Sequence, residues 1–228
     1  MRAVVFDYFA TLTDPAAEDE RRDTFTATAA ALGVPAAAFW TAMSGSFGER
    51  IVGALGDTRS TLAVMAARCG VTPSPEALDA AVAVHYAGAR RVQRPRPGAV
   101  ETLETLRSKG FRIGLISDCS SELVENWPAN AFCAYIDAPV FSWSERRRKP
   151  DAHLYATVAA RLGVAAGECW YVGDGGGHEH QGARAAGMRP VLVTNAGWPG
   201  SGRHRVNADP EIPADVVDDL PDVLRLIR

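Results

Sequence analysis

A chain of 228 residues, 47% hydrophobic and 22% charged, has the length for one domain with a sizeable insertion and a composition that excludes disorder. A formal net charge of −3, with a single short basic run at Arg146-Arg147-Arg148-Lys149, leaves no electrostatic footprint for a nucleic-acid partner. The four cysteines form no CxxC pair, which suits reduced thiols, and no run approaches the ~18 apolar residues of a membrane span, so a cytoplasmic protein without a membrane partner is expected.

Taken in chain order, the first predicted element is a strand over residues 3–7, Ala-Val-Val-Phe-Asp, a buried run closed by a carboxylate. Residues 14–92 then read as consecutive helices at about 18–32, 35–44, 59–69 and 75–91, separated by Gly33-Val34-Pro35, Gly56-Asp57 and Cys69-Gly70. Arg94-Pro95-Arg96-Pro97-Gly98 reads as the linker back. Helices at about 98–109, 151–162, 178–187 and 220–227 alternate thereafter with strands at 111–116, 139–142, 169–173, 190–194 and 215–217. Such alternation predicts a Rossmann-like parallel α/β sheet with helices on both faces, formed by residues 1–13 and 93–228. Residues 14–92 would be an all-helical insertion, placed to act as a lid.

Four polar stations fall at the carboxyl ends of these strands, where open parallel sheets place their ligand crevice. Asp7 is a carboxylate that can attack phosphorus or carbon, or can merely cap the following turn. Thr11, four residues on, can donate to an anion or stabilise that turn. Ser117 and Asp118 open a strand-to-helix turn whose hydroxyl and N–H groups could cradle an anion. The same residues, with Ser120, compete as N-cap for a helix starting near Ser121. Lys149 is one of only two lysines beside 22 arginines, and an ammonium there could hold a nucleophile ionised. Asp174 and Glu179 bracket Gly175-Gly176-Gly177-His178, a carboxylate pair suited to oxygen-ligated Mg²⁺. The glycines lack dinucleotide-loop spacing, and His178-Glu179-His180 lacks the spacing of a zinc helix.

Together the stretches VVFDYFATLTD (4–14), GLISDCS (114–120), RRRKPD (146–151) and YVGDGGGHEHQGARAAGM (171–188) resemble the haloacid dehalogenase-like (HAD) hydrolase superfamily. The helical block at 14–92 looks like its C1-type cap. The resemblance implies Asp7 as nucleophile, with Thr11 and Ser117 as ligands of a substrate anion and Lys149 stabilising the nucleophile and leaving charge. Asp118 adds a substrate-binding group. Mg²⁺ would be held by Asp7, the backbone carbonyl of Phe9, Asp174 and Glu179, the last directly or through water.

Phe9 departs from the phosphatases of the superfamily, which place there an aspartate acting as general acid and then base. Such assistance is typically worth ~10²–10⁴-fold. Haloacid dehalogenases carry an aromatic tyrosine at that point but no metal, and have serine where Asp174 stands. Phosphonate hydrolases need a cap lysine, and residues 14–92 contain none. The expected activity is therefore Mg²⁺-dependent hydrolysis of a small, anionic, phosphorylated metabolite. The alternatives are dehalogenase-like carbon–halogen hydrolysis and a catalytically weak binding or regulatory protein. Asp118, Glu49 and Arg50 are candidates for the missing acid/base role, and Arg21, Arg22, Arg50 and Arg59 for meeting an anion from the insertion.

Overall fold

The structure, a computed structural model, describes residues 2–200, 202 and 205–227. Six parallel strands form one sheet: β1 (Ala3–Phe6), β2 (Arg112–Ser117), β3 (Ala138–Phe141), β4 (Cys169–Gly173), β5 (Arg189–Val193) and β6 (Asp215–Val217). Their order is β3-β2-β1-β4-β5-β6. The chain thus winds one way from β1 and the other way from β4, so the topological switch point lies between these two strands. Asp7 and Asp174 follow β1 and β4 directly, which brings residues 167 positions apart to one crevice.

The first strand is buried along its whole length between β2 and β4, as its uniformly apolar sequence requires. The two faces of the sheet bury separate clusters. One gathers Val4, Phe6, Leu103, Leu115, Val172 and Leu220; the other gathers Val5, Ile116, Leu154, Val158 and Tyr171.

The helical block contains α1 (Arg21–Leu32), α2 (Ala36–Gly45), α3 (Phe47–Ile51), α4 (Thr58–Arg68) and α5 (Pro75–Val92). Local chemistry sets its boundaries. Asp57 accepts from the Ser60 N–H at 2.7 Å to cap α4, and Ser74 caps α5 just before Pro75. Gly33, at φ +70°, ends α1 in the left-handed region. Phe25, Leu32, Phe39, Met43, Leu62 and Met65 close a core of their own. Gly88 lets α5 approach α1, since a Cβ there would lie 2.3 Å from Thr24 Cγ2. The two connections to the sheet are pinned side by side, with the Asp14 N–H on Arg94 O at 3.0 Å and Arg94 Nε on Asp14 Oδ2 at 2.8 Å.

The remaining helices are α6 (Ala99–Ser108), α7 (Ser121–Glu125), α8 (Ser142–Glu145), α9 (Ala152–Leu162), α10 (Glu179–Ala185) and α11 (Val223–Leu226). The predicted strands and the long helices are present within a few residues of their expected bounds, the helix expected at 220–227 is a 3-10 turn followed by the short α11, and α3 and α8 are additions. Among the described residues no single helix is long and apolar enough to cross a membrane.

Candidate active site

Asp7 is 5% exposed. Its Oδ1 accepts from Lys149 Nζ at 2.7 Å and its Oδ2 from Thr11 Oγ1 at 3.1 Å. The turn that carries it is tight: the N–H groups of Leu12 and Thr13 both reach Tyr8 O, and Ala10 sits at φ +55°. That left-handed conformation favours glycine, and here it is held by Asn195 Nδ2 donating to Ala10 O at 2.9 Å.

Lys149 Nζ also donates to Glu179 Oε2 at 2.7 Å, so one buried ammonium joins two buried carboxylates. Desolvation opposes its charge, but Asp7, Glu179 and Asp118 outweigh it and hold the ammonium protonated well above the usual lysine range. Asp118 Oδ1 accepts the Lys149 N–H at 3.0 Å and so fixes the lysine's loop. Only Lys149 of the basic run is buried.

Glu179 opens α10 and is completely buried. Its Oε1 accepts from the Gly175 N–H at 2.7 Å, and its Oε2 also accepts from Tyr171 Oη at 3.0 Å. It reaches this place because residue 173 is glycine: a Cβ there would lie 2.1 Å from Glu179 Oε1. Asp174 Oδ1 accepts the Gly176 N–H at 3.1 Å, and Oδ2 accepts from Arg205 Nε at 3.1 Å.

Four carboxylates, Asp7, Asp118, Asp174 and Glu179, thus gather around Lys149, with Arg205 bonded to Asp174 and Arg148 acting on Asp118 from the rim. Burial pushes Asp7 up to about 8, with Glu179 and Asp174 adding to the rise and Lys149 opposing it. Burial and Glu179 raise Asp174, and burial raises Asp118. Ligand atoms of Asp7, Asp174 and Glu179 all lie within 4.8 Å of one another. An excess of buried, hard oxygen donors is the set that a divalent cation such as Mg²⁺ neutralises, so the residues fit that ion.

A cavity of about 460 Å³ separates this cluster from the helical block. Asp7, Asp118, Lys149, Asp174 and Arg205 face it from the sheet; Arg21, Phe25, Trp40, Phe47 and Arg50 face it from the block. Phe9 stands between them, edge-on to Tyr8 at 5.0 Å, with the Arg21 guanidinium 5.2 Å from its ring centre. The Phe9 ring has no proton to give or take, and Tyr8 is completely buried, holds Asn130 through its hydroxyl and does not line the cavity.

Several expectations acquire a definite geometry here. Thr11 and Ser117 are completely buried and lie behind the cavity wall rather than on it. The Thr11 hydroxyl is committed to Asp7, so its direct contact is with that carboxylate rather than with cavity contents. No side chain caps α7; instead Ser120 Oγ accepts from Arg50 Nη1 at 2.5 Å. Glu49 points away from the cavity onto Arg68 at 2.7 Å, which removes it as an acid/base candidate, and Arg59 is paired with Asp79. Arg22 lies over the Trp40 ring and does not line the cavity. Phe39 is core, whereas Trp40 and Phe47 are cavity wall.

Sequence reasoning missed Arg205 and Glu122, both on the cavity wall. Arg205 is delivered by residues 205–209, which lie over the glycine loop: Val206 O accepts from Gly177 N at 2.7 Å and Asn207 O from His178 N at 2.9 Å. Asp209 then caps α10 from outside, accepting from His180 N at 2.9 Å and Gln181 N at 3.0 Å. No local spacing in the sequence signals a cap supplied from so far away.

With that geometry established, comparison with known proteins places the chain. The model of the haloacid dehalogenase-like hydrolase family matches residues 1–187, and the chain belongs to this family of hydrolases. It is 28% identical over 161 residues to glyceraldehyde 3-phosphate phosphatase of Methanopyrus kandleri, covering 69% of this chain and 68% of that protein. Its structure is similar to 2-haloacid dehalogenase of Pseudomonas syringae, with TM-score 0.71 and 26% identity over 100% of this chain and 98% of that one. It shares its fold with a HAD phosphatase of Thermococcus onnurineus, with TM-score 0.66 and 18% identity over 100% and 98% of the two chains.

Proposed function

We propose that this protein hydrolyses a small phosphorylated metabolite in a Mg²⁺-dependent reaction through an aspartyl-phosphate on Asp7. The observation that carries the reading is the buried Asp7–Asp174–Glu179 cluster beside Lys149, because a metal-free dehalogenation has no need of it. When bound by Asp7, the Phe9 carbonyl, Asp174 and, directly or through water, Glu179, the ion would neutralise phosphoryl charge. An Asp7 carboxylate oxygen forms a bond to phosphorus while the phosphorus–oxygen bond to the leaving group breaks, its electron pair going to that oxygen. Water then attacks phosphorus, its proton is lost, and the acyl-phosphate bond breaks to restore the Asp7 carboxylate.

In this reading Lys149 orients Asp7 and offsets charge on the phosphoryl oxygens, and Thr11 fixes the second carboxylate oxygen. Residues 14–92 act as the cap that closes over the substrate and excludes water. Phe9 supplies no proton, so the departing group must be a weak base or take its proton elsewhere. Asp118 lines the cavity, is held above the ordinary carboxyl range by burial, and uses only Oδ1 on the Lys149 N–H, which qualifies it for that role. Phosphate release from a panel of phosphate esters, with and without Mg²⁺, tests the reading. Release from none by folded, Mg²⁺-binding protein would sink it.

Phe9 also supports a second reading, an alkyl ester formed on Asp7 by displacement of halide. Halide release without Mg²⁺ would distinguish it.

Two expected outcomes follow from the site. Phe9→Asp raises turnover on alkyl phosphates, but by only about 10–100-fold, the lower part of the general-acid range. The neighbouring Arg21, although forked onto Glu18, should attract the new carboxylate and draw it from the leaving group. The gain should vanish for aryl phosphates with weakly basic leaving groups; an equal gain for both would show that proton donation is not what Phe9 withholds.

The second concerns pH. Unfolded, Asp7 releases its proton near 3.8; folded, it holds it to about 8. The folded state therefore binds the extra proton between these values, and the metal-free protein loses stability as pH rises from about 4 to 8. Because the ion displaces that proton, Mg²⁺ affinity should rise with pH up to about 8 and then level off. Calorimetric titration across this range, with melting curves of the metal-free protein, checks both slopes.

A further inference from the structure

The chemistry above occupies the sheet end of the cavity and gives no task to Arg50 at the other end. Arg50 lies on α3 and is 6% exposed. Its Nε donates to Ser46 Oγ at 3.2 Å, Nη1 to Ser120 Oγ at 2.5 Å and Nη2 to Met43 O at 3.1 Å. All three acceptors are neutral. Arg50 makes no ion pair among the described residues, whereas Arg21 is forked onto Glu18 at 2.8–3.1 Å.

A guanidinium has five N–H donors, so two remain on Arg50, one on each terminal nitrogen. Burying a charge without a counter-ion is costly, and burial pulls Arg50 down to about 10 despite the longer-range help of Glu122. The three bonds that it makes also fix it: two anchor it within the block and the third ties it to Ser120 on the sheet side. An immobilised, desolvated guanidinium with free donors at a cavity wall is built to receive a planar anion in two parallel hydrogen bonds. Phe47 stands beside it, with the guanidinium carbon 5.8 Å from the ring centre, and Trp40 continues the apolar wall.

We infer that Arg50 is a carboxylate subsite, and that the substrate is a small phosphate ester bearing a carboxylate at the end remote from the phosphoryl group. This rests on the phosphatase reading, and it adds what that reading lacks, a feature that selects among phosphates. The carboxylate reaches Arg50 while Phe47 and Trp40 cover the carbon body between the two charged ends. Glu122, on the same wall, disfavours a second phosphate there more than a singly charged carboxylate.

The test uses aryl and alkyl phosphates in matched pairs that end in carboxylate or in the isosteric carboxamide, at several spacer lengths. For at least one length the wild type should prefer the carboxylate by about 10–100-fold in kcat/KM, mainly through KM, the scale of a charge-assisted bidentate pair. Arg50→Gln should bring that ratio to about one, and Arg50→Lys should retain part of it. The ratio does not depend on the fraction of folded enzyme, so a destabilised variant remains informative. A ratio near one in the wild type at every length, or an unchanged ratio in Arg50→Gln, overturns the assignment and leaves Arg50 as a pin between block and sheet. If the wild type hydrolyses no member, the phosphatase reading fails separately. Calorimetric binding of the matching carboxylate and carboxamide phosphonates to wild type and Arg50→Gln then decides the subsite by the same ratio.

Discussion

Asp7→Asn should abolish phosphate release, by on the order of 10⁴-fold or more, the scale on which loss of a covalent nucleophile is felt. Asparagine keeps the shape of the side chain, and its amide oxygen can still accept from Lys149 or Thr11, so the turn at Tyr8–Thr13 should persist. What is lost is the carboxylate proposed to form the bond to phosphorus. The same substitution removes one of four carboxylates crowded around Lys149, and the raised titration of Asp7 reflects the cost of keeping it ionised. The metal-free variant should accordingly melt higher than the wild type near pH 8, while binding Mg²⁺ more weakly. An inactive protein that is more stable is the mark of a site strained for its task. Phosphate-release assays beside melting curves of both proteins check the pair of outcomes; retained turnover would remove Asp7 from the mechanism.

Lys149→Met should have the second largest effect, and in stability as well as rate. The ammonium is buried, 2.7 Å from both Asp7 and Glu179. Without it, the four carboxylates keep only outlying positive charge, Arg205 bonded to Asp174 and Arg148 acting on Asp118. Removing one partner of a buried ion pair costs about 3–5 kcal/mol, and that range should apply to the metal-free protein above about pH 8, where Asp7 is ionised. Mg²⁺ supplies positive charge to the same cluster, so saturating metal should recover part of the lost stability. Turnover should remain about 10²–10³-fold below wild type even then, because an electrostatic contact to the reacting group is gone. Denaturant unfolding with and without Mg²⁺ measures the first effect and steady-state rates the second. A variant as stable as wild type without metal would mean that the carboxylates are protonated rather than held by Lys149.

The sheet was readable because its central strands are short apolar runs closed by punctuation, as in Ala3–Phe6 before Asp7 and Cys169–Gly173 before Asp174. Strand order was not, since pairing of β1 with both β2 and β4 is decided by long-range packing. The helix α3 escaped because five residues containing Gly48 carry too little periodicity to register. With it went the position of Arg50, one of four arginines that the sequence could not rank. Arg205 was invisible for another reason: it meets Asp174 across 31 residues through backbone bonds of residues 206 and 207, which no side-chain pattern encodes. Tyr171 was legible as a strand residue, yet its hydroxyl on Glu179 is a product of the site's own packing.

The proposed reaction passes through a phosphoryl group carried by Asp7, and trapping that group is the most direct measurement. The protein is mixed with a rapidly cleaved aryl phosphate and Mg²⁺, quenched in acid within one turnover, and its peptides are weighed. A phosphoryl adduct on the peptide that contains Asp7, absent without Mg²⁺ and absent in Asp7→Asn, is the predicted result. Phosphate released at full rate with no adduct on that peptide, or an adduct on another residue, would contradict it.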